Sequence, residues 1–231
     1  MNEIKDEGIC RFCLRAFSGR SMGRHLVACK AKKQKDEQDV TEGKKITPIY
    51  HIKIQSYKPY WLHIEMKATA TLTDLDQFLR DIWLECCYHL SQFKINGTSY
   101  LVPMTMGDWW DSEARSMDVQ LQKELRVKDK FEYLYDFGST TYLEGQLYAT
   151  RKGVLKDKAR ILARNNPPAF QCVNCKARAT TICTQCYEVY CQDCLVEHEC
   201  GDEMALPVVN SPRMGVCGYA GEFDFDDFSL E

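Results

Sequence analysis

The chain has 231 residues, 45% hydrophobic and 27% charged, with a net charge of −3. That length suits one medium domain with small satellites, and the charge balance excludes a polycation built for nucleic acid along its whole length. No apolar run reaches about 18 residues, so no membrane contact through a spanning helix is expected.

The opening residues, Met1 to Gly8, are polar and lack the apolar stretch of a secretory signal. The expected compartment is therefore the cytoplasm, where thiols stay reduced. Thirteen cysteines in that setting point to metal rather than to disulfides, and the odd number fits full pairing poorly. Charge is unevenly spread. Residues 1–35 hold nine Lys or Arg against three acids, and residues 222–231 hold five acids and no base.

The first element, residues 1–35, reads as a zinc finger with a basic arm. Cys10 and Cys13 form a C-x2-C pair, followed after eleven residues by His25 and then Cys29. Zinc takes four thiolate or imidazole ligands in a tetrahedron, and His25 and Cys29 are spaced to share one helical face. Ser21 suits the N-cap of that helix. Phe12, Phe17 and Leu26 suit its small apolar cluster. Arg11, Arg15, Arg20 and Arg24, with Lys30, Lys32, Lys33 and Lys35, offer a basic surface that suits DNA or RNA phosphates; a solvated face reads equally well. Residues 30–45 have almost no apolar anchor and read as a flexible or helical linker.

A central domain is expected over 46–164. Ile46, Tyr50, Ile52 and Ile54 alternate, as do Leu62, Ile64 and Met66, so both stretches read as half-buried strands. A helix is expected from Thr71 or Thr73 to about His89, with Leu75, Phe78, Leu79, Ile82, Trp83 and Cys86 on its apolar face. In that reading Cys86 is a core residue and Cys87 an ordinary neighbour. Asn96-Gly97 marks a hairpin turn. Residues 116–125 read as a short helix, and Phe131, Tyr133, Tyr135 and Phe137 as another strand. Trp109, Trp110 and Asp111 read as a loop partly tucked onto the sheet, with an exposed interaction site as the alternative. Six basic residues between Arg151 and Arg164, spaced with Val154, Leu155, Ile161 and Leu162, read as a cationic amphipathic helix. The fold class is α+β, a mixed or antiparallel sheet with packed helices, flanked by small zinc modules.

The phrases W-L-x-I, T-L-T-D-L-D-Q-F-L-R, H-L-S-Q-F-K-I-N-G-T-S-Y and F-E-Y-L-Y-D-F-G follow one another over roughly residues 46–150, and N-S-P-R-M-G-V-C-G-Y stands at 210–219. In these the chain resembles the plasmid pRiA4b ORF-three-like family, also described as insertion-element passenger TnpR-like. The resemblance implies an α+β fold and a prokaryotic or mobile-element setting. It implies no particular chemistry. Family members often carry an aspartate and a tryptophan after the Tyr-Asp-Phe-Gly phrase, where this chain has Ser139, Thr140 and Thr141.

The densest signal lies in residues 169–206. Cys172 and Cys175, Cys183 and Cys186, Cys191 and Cys194, and His198 and Cys200 make four ligand pairs within 29 residues. Eight ligands fill two tetrahedral sites. Alternate pairing puts Cys172, Cys175, Cys191 and Cys194 on one ion and Cys183, Cys186, His198 and Cys200 on the other; sequential pairing is the alternative. The stretch is similar to B-box, MYND and HIT-type cross-brace fingers, which mostly bind proteins. Cys217, in the 207–231 tail, is not counted as a ligand, and the tail's alternating acids and Phe residues end the chain. Three zinc ions are expected in all.

The function expected from these residues is a non-enzymatic zinc-binding interaction or adaptor protein. Its partner is another protein, with DNA or RNA as a candidate for the basic finger. The rival is a mobile-element or defence-related enzyme acting on nucleic acid, with Asp136 and His89 as partners in a central-domain site. The oligomeric state is not legible.

Overall fold

The computed structural model describes residues 5–43, 45–102 and 113–221. The Trp109–Asp111 loop and the acidic tail from Glu222 lie outside the described residues. The chain divides into two compact units, one made of Asp6–Phe78 and Leu90–Asn166, the other of Leu79–His89 and the chain from Pro167 onward.

The larger unit is built on a ten-stranded sheet. Its strands are β1 (Glu7–Cys10), β2 (Ala16–Ser18), β3 (Thr47–Gln55), β4 (Trp61–Lys67), β5 (Ser91–Ile95), β6 (Thr98–Leu101), β7 (Arg115–Ser116), β8 (Lys130–Tyr135), β9 (Thr141–Gly153) and β10 (Ala159–Asn165). Their order is β2-β1-β10-β4-β3-β9-β8-β5-β6-β7. Every pairing is antiparallel except β6 with β7, so the sheet is mixed and the class is α+β. Among the described residues four helices accompany it: α1 (Gly19–Ala28), α2 (Lys30–Glu42), α3 (Leu72–Leu79) and α4 (Leu121–Glu124). Ile49, Ile52, Ile54, Leu62, Ile64, Leu72, Leu75, Phe93, Tyr133 and Leu147 are buried in its core. Asp76 on α3 is buried as well, and its Oδ1 accepts from Ser91 Oγ at 2.6 Å and Tyr133 Oη at 2.7 Å. A buried carboxylate is tolerable only with such donors.

The N-terminal finger is part of this sheet. β1 pairs with β10, and the cluster of Cys10, Met22, Leu26 and Cys29 continues into Trp61, Leu162 and Ala163. Phe12 and Phe17 pack at its rim. Gly23 lets α1 lie this close, since a Cβ there would stand 2.7 Å from the Tyr148 ring. The N-cap of α1 is Ser18, not the expected Ser21, whose Oγ instead donates to the Ser18 carbonyl at 3.1 Å.

Three expectations are corrected. The stretch 151–164 is not a helix but the end of β9, a connection over 154–158, and β10 up to Arg164. A β-bulge between Ile161 and Ala163 shifts the register, so adjacent Ile161 and Leu162 are both buried and mimic helical spacing. The helix expected to reach His89 stops earlier, as α3 followed by a π-helical turn, Arg80–Leu84. The short helix expected from residue 116 is confined to α4, with β7 ahead of it.

Residues 30–42, which lack apolar anchors, are helical because ions hold them. Lys32 of α2 is buried and reaches Glu65 Oε1 at 2.7 Å. Arg160 contacts Asp36 at 2.6 Å, Asp39 at 2.9 Å and Glu65 at 2.6 Å, and Arg151 contacts Glu65 at 2.7 Å. Burial alone would push the Glu65 carboxyl up, but Arg151, Lys32 and Arg160 outweigh it and hold it well below the usual carboxylate range. Glu65→Gln leaves those cations facing a neutral group in a buried site. The expected loss is about 3 kcal/mol of unfolding free energy, read by chemical denaturation. A loss under about 0.5 kcal/mol, the size of a surface effect, would show that the network holds nothing together.

Behind Glu65 lies a buried imidazole pair. His51 Nε2 and His63 Nδ1 are 2.8 Å apart, with Tyr148 beside both rings. Burial pushes His51 down to about 4, partly offset by Glu65, and pushes His63 well below the ordinary histidine range. Both rings are therefore neutral in the fold, whereas the unfolded chain takes up protons near 6.5. Their contribution to stability is complete above about pH 6.5 and declines as pH falls from there toward about 4. The imidazole NMR signals of His51 and His63 should stay unshifted from pH 7.5 to about 5; a midpoint near 6.5 would contradict this.

The smaller unit contains the π-helical turn, a three-stranded antiparallel sheet in the order β12-β11-β13, and one short helix. These elements are β11 (Thr181–Cys183), β12 (Val189–Tyr190), α5 (Gln192–Leu195) and β13 (Ala205–Pro207). The unit buries Ile82, Trp83, Leu84, Ile182 and Tyr219, and one of its buried clusters is largely sulfur: Cys172, Cys183 and Cys191 with Tyr190 and Leu195.

Candidate metal centres

The Cys-x2-Cys turns repeat one backbone design. In the finger, Cys10 N–H donates to the Arg15 carbonyl and Leu14 N–H returns to the Cys10 carbonyl. Cys172 with Ala177 and Lys176 does the same, as does Cys183 with Glu188 and Tyr187. In each turn the residue after the second cysteine is left-handed, with φ of 58° at Leu14, 65° at Lys176 and 60° at Tyr187. The winding turns both thiols of a pair toward one point. The fourth pair, Cys191 and Cys194, is presented by the first turn of α5.

These turns bring the sequence-predicted ligands together. Cys10, Cys13, His25 and Cys29 have all their ligand atoms within 4.8 Å of one another. So do Cys172, Cys175, Cys191 and Cys194, and so do Cys183, Cys186, His198 and Cys200. The pairs in the smaller unit alternate between two clusters instead of running in sequence. Tetrahedral zinc with Zn–S of about 2.3 Å places sulfurs about 3.8 Å apart. The observed separations are 4.0 Å for Cys10–Cys29 and 3.5 Å for Cys175–Cys191. Cys186 to His198 Nε2 is 3.6 Å, and Cys13 to His25 Nε2 is 3.3 Å. Each cluster can hold a metal ion, and the thiolate-rich donor sets suit zinc rather than hard cations.

Local fields prepare the ligands unequally. Burial pushes the Cys172 thiol up, but backbone N–H groups of Cys175, Cys191 and Asn174 outweigh it and bring it to about 6. Cys183 reaches about 6 in the same way, through the N–H groups of Cys186 and Gln185 and the His198 ring. Cys194, facing the sulfurs of Cys175, Cys191 and Cys172, is pushed up to about 12, and burial takes Cys10 up to about 11. Cys172 and Cys183 thus ionise readily, whereas Cys194, and Cys200 pushed by burial and the Cys183 sulfur up to about 11, ionise only beside a cation. In the finger, burial and Arg15 lower His25, keeping its imidazole neutral as ligation requires. The ring is stacked on Phe17 with centroids 3.8 Å apart.

A fourth cluster was not foreseen. Cys86, Cys87, His89 and Cys217 also have ligand atoms within 4.8 Å of one another, all within the smaller unit. The expectations that Cys86 is core, that Cys87 is an ordinary helix neighbour and that Cys217 is no ligand candidate are therefore corrected. Spacing offered no signal, because 130 residues separate Cys87 from Cys217.

The other candidate residues are engaged elsewhere. His89 belongs to the fourth cluster. Asp136 is buried at a left-handed φ of 64°, and its Oδ1 accepts from Gly138 N–H at 3.0 Å. Lys32 is unavailable to phosphate because it is buried against Glu65 and Asp36. Lys35 is half-buried and pairs with Asp39 at 3.2 Å. Arg20, Arg24, Lys30 and Lys33 are exposed. Among the described residues no helix is long and apolar enough to cross a membrane.

Residues 49–151 match the model of the plasmid pRiA4b ORF-3-like protein family, in line with the phrases noted above. A search of the curated proteins finds no match. Among solved structures, the protein of unknown function MM3350 from Methanosarcina mazei Go1 is similar at a TM-score of 0.41 and 17% identity, over 50% of this chain and 67% of that one.

Left-handed backbone costs a side-chain-bearing residue about 1–2 kcal/mol, against about 0.5–1 kcal/mol of extra chain entropy for glycine. Leu14 is largely exposed. Leu14→Gly should therefore raise unfolding free energy by about 0.5–1 kcal/mol, and Leu14→Val should lower it. Equal stabilities for the three proteins would show that the turn carries no strain.

Proposed function

We propose that the chain is a non-enzymatic, zinc-dependent interaction protein in which zinc ions are structural. The observation that carries this reading is the completeness of the donor sets. Each predicted cluster supplies three sulfurs and one imidazole nitrogen, or four sulfurs. A zinc ion so ligated has no open position for water or substrate, so it contributes folding energy rather than Lewis-acid chemistry. Function then falls to the surfaces that the ions hold in shape.

Two surfaces support a binding role. In the smaller unit, Tyr187 and Val196 are exposed at 68% and 80%, with Val173 and Met204 partly exposed. Apolar side chains held out on a rigid small module favour a protein partner. On the finger, Arg20 and Arg24 lie four apart on α1 and are both exposed, with exposed Lys30 and Lys33 on α2. That surface favours phosphate contact with DNA or RNA.

The protein-binding surface is tested by photocrosslinking in cells. Tyr187→Ser with Val196→Ser should abolish the crosslinked species while zinc content and unfolding midpoint stay at wild-type values. An unchanged crosslink would overturn that assignment. For the finger, DNA affinity should fall steeply with salt, and Arg20→Gln, Arg24→Gln and Lys33→Gln together should reduce the log–log slope by about 3. Affinity that does not vary with salt would remove nucleic acid as a partner.

A further inference from the structure

We propose that Cys86, Cys87, His89 and Cys217 form a fourth zinc site, which staples the segment following the π-helical turn to the Gly215–Gly218 turn. This goes beyond the three sites expected from spacing and rests on the same reading of the chain as a zinc protein.

The distances are those of a ligand set. Cys86 and Cys87 sulfurs are 3.8 Å apart, and Cys87 and Cys217 sulfurs 3.7 Å. Both match the edge of about 3.8 Å that a zinc tetrahedron requires, and both far exceed a disulfide bond of about 2.05 Å. His89 Nε2 lies 3.0 Å from Cys87 and 3.2 Å from Cys217. A tetrahedral nitrogen–sulfur edge is about 3.6 Å, so the imidazole need move outward by only a few tenths of an ångström. The finger's Cys13–His25 contact is short in the same sense.

The backbone is shaped for this convergence from both sides. Tyr88 and Cys217 are non-glycine residues with φ of 62° and 51°, and Gly215 and Gly218 flank Cys217 at 78° and 70°. Glu85 accepts the Tyr88 N–H, while Arg80 holds Glu85 at 2.8 Å and donates to the His89 carbonyl at 2.8 Å. These bonds curl residues 85–89 so that two adjacent cysteines and the histidine face one point. On the other side, Ser211 Oγ donates to the Trp83 carbonyl at 2.6 Å and accepts from Arg213 N–H at 2.9 Å. That anchors the turn carrying Cys217 beside the same segment. Two left-handed non-glycine residues are an unfavourable backbone that a shared metal ion offsets.

The cysteine inventory is an independent observation. All thirteen cysteines fall into the four clusters, and none is left over. The two histidines outside the clusters, His51 and His63, are those that pair with each other. With three sulfurs and one nitrogen the fourth shell is closed, so its zinc is a staple and not a catalyst.

The test is zinc stoichiometry on the full chain purified under reductant, by elemental analysis, with circular dichroism to confirm folding. Wild type should hold four equivalents. Cys217→Ser and His89→Ala should each hold three, and His89→Cys, which restores a fourth soft ligand, should hold four. Wild type with three equivalents, unchanged in Cys217→Ser, would overturn the fourth site and leave the zinc-protein reading standing. A Cys87–Cys217 disulfide found by mass analysis beside three zinc ions would overturn it as well. No zinc in wild type would instead remove the zinc-protein reading itself.

Discussion

The convergence of sulfur and imidazole in fours is the constraint that shapes the stretch from Cys172 to Cys200. Between Cys172 and Cys200 the buried cluster consists largely of Cys172, Cys183 and Cys191 with Tyr190 and Leu195, too little apolar area to order about thirty residues by hydrophobic burial alone. The smaller unit's strands are two or three residues long and its one α-helix has four. Elements that short have no stability of their own. In the proposed reading ligand geometry substitutes for a core there, which accounts for the left-handed Lys176 and Tyr187 beside Cys175 and Cys186.

The larger unit solves a different problem with charge. α2 has no apolar face, yet it is fixed because Lys32, Asp36 and Asp39 meet Glu65, Arg151 and Arg160 from β4, β9 and β10. The finger leads directly into α2, so the ionic cluster and the sheet pairing of β1 together hold the first candidate metal centre. Basic residues near the N-terminus thus divide by role: Lys32 is structural, while Arg20, Arg24, Lys30 and Lys33 face solvent.

Ligand pairs close in sequence were legible because metal geometry dictates spacing; Cys172 through Cys200 is a run that few other constraints produce. The strands around Ile52, Ile64 and Tyr133 were legible from their alternation. Three features were not. The fourth cluster joins positions far apart in the chain, and no local pattern links Cys87 to Cys217. β10 looked helical because a bulge places Ile161 and Leu162 side by side in the core. The helical reading of α2 was open, but its anchoring to the sheet was not legible, because burial of paired charge leaves no hydrophobic trace. Each omission traces to an interaction that only the tertiary fold creates.

The most direct measurement is X-ray absorption at the zinc edge on the reduced, full-length protein. A structural role for every ion predicts a four-coordinate shell of sulfurs near about 2.3 Å with a minor nitrogen component near about 2.0 Å and no oxygen. A shell dominated by oxygen and nitrogen, or one with more than four ligands, would contradict it.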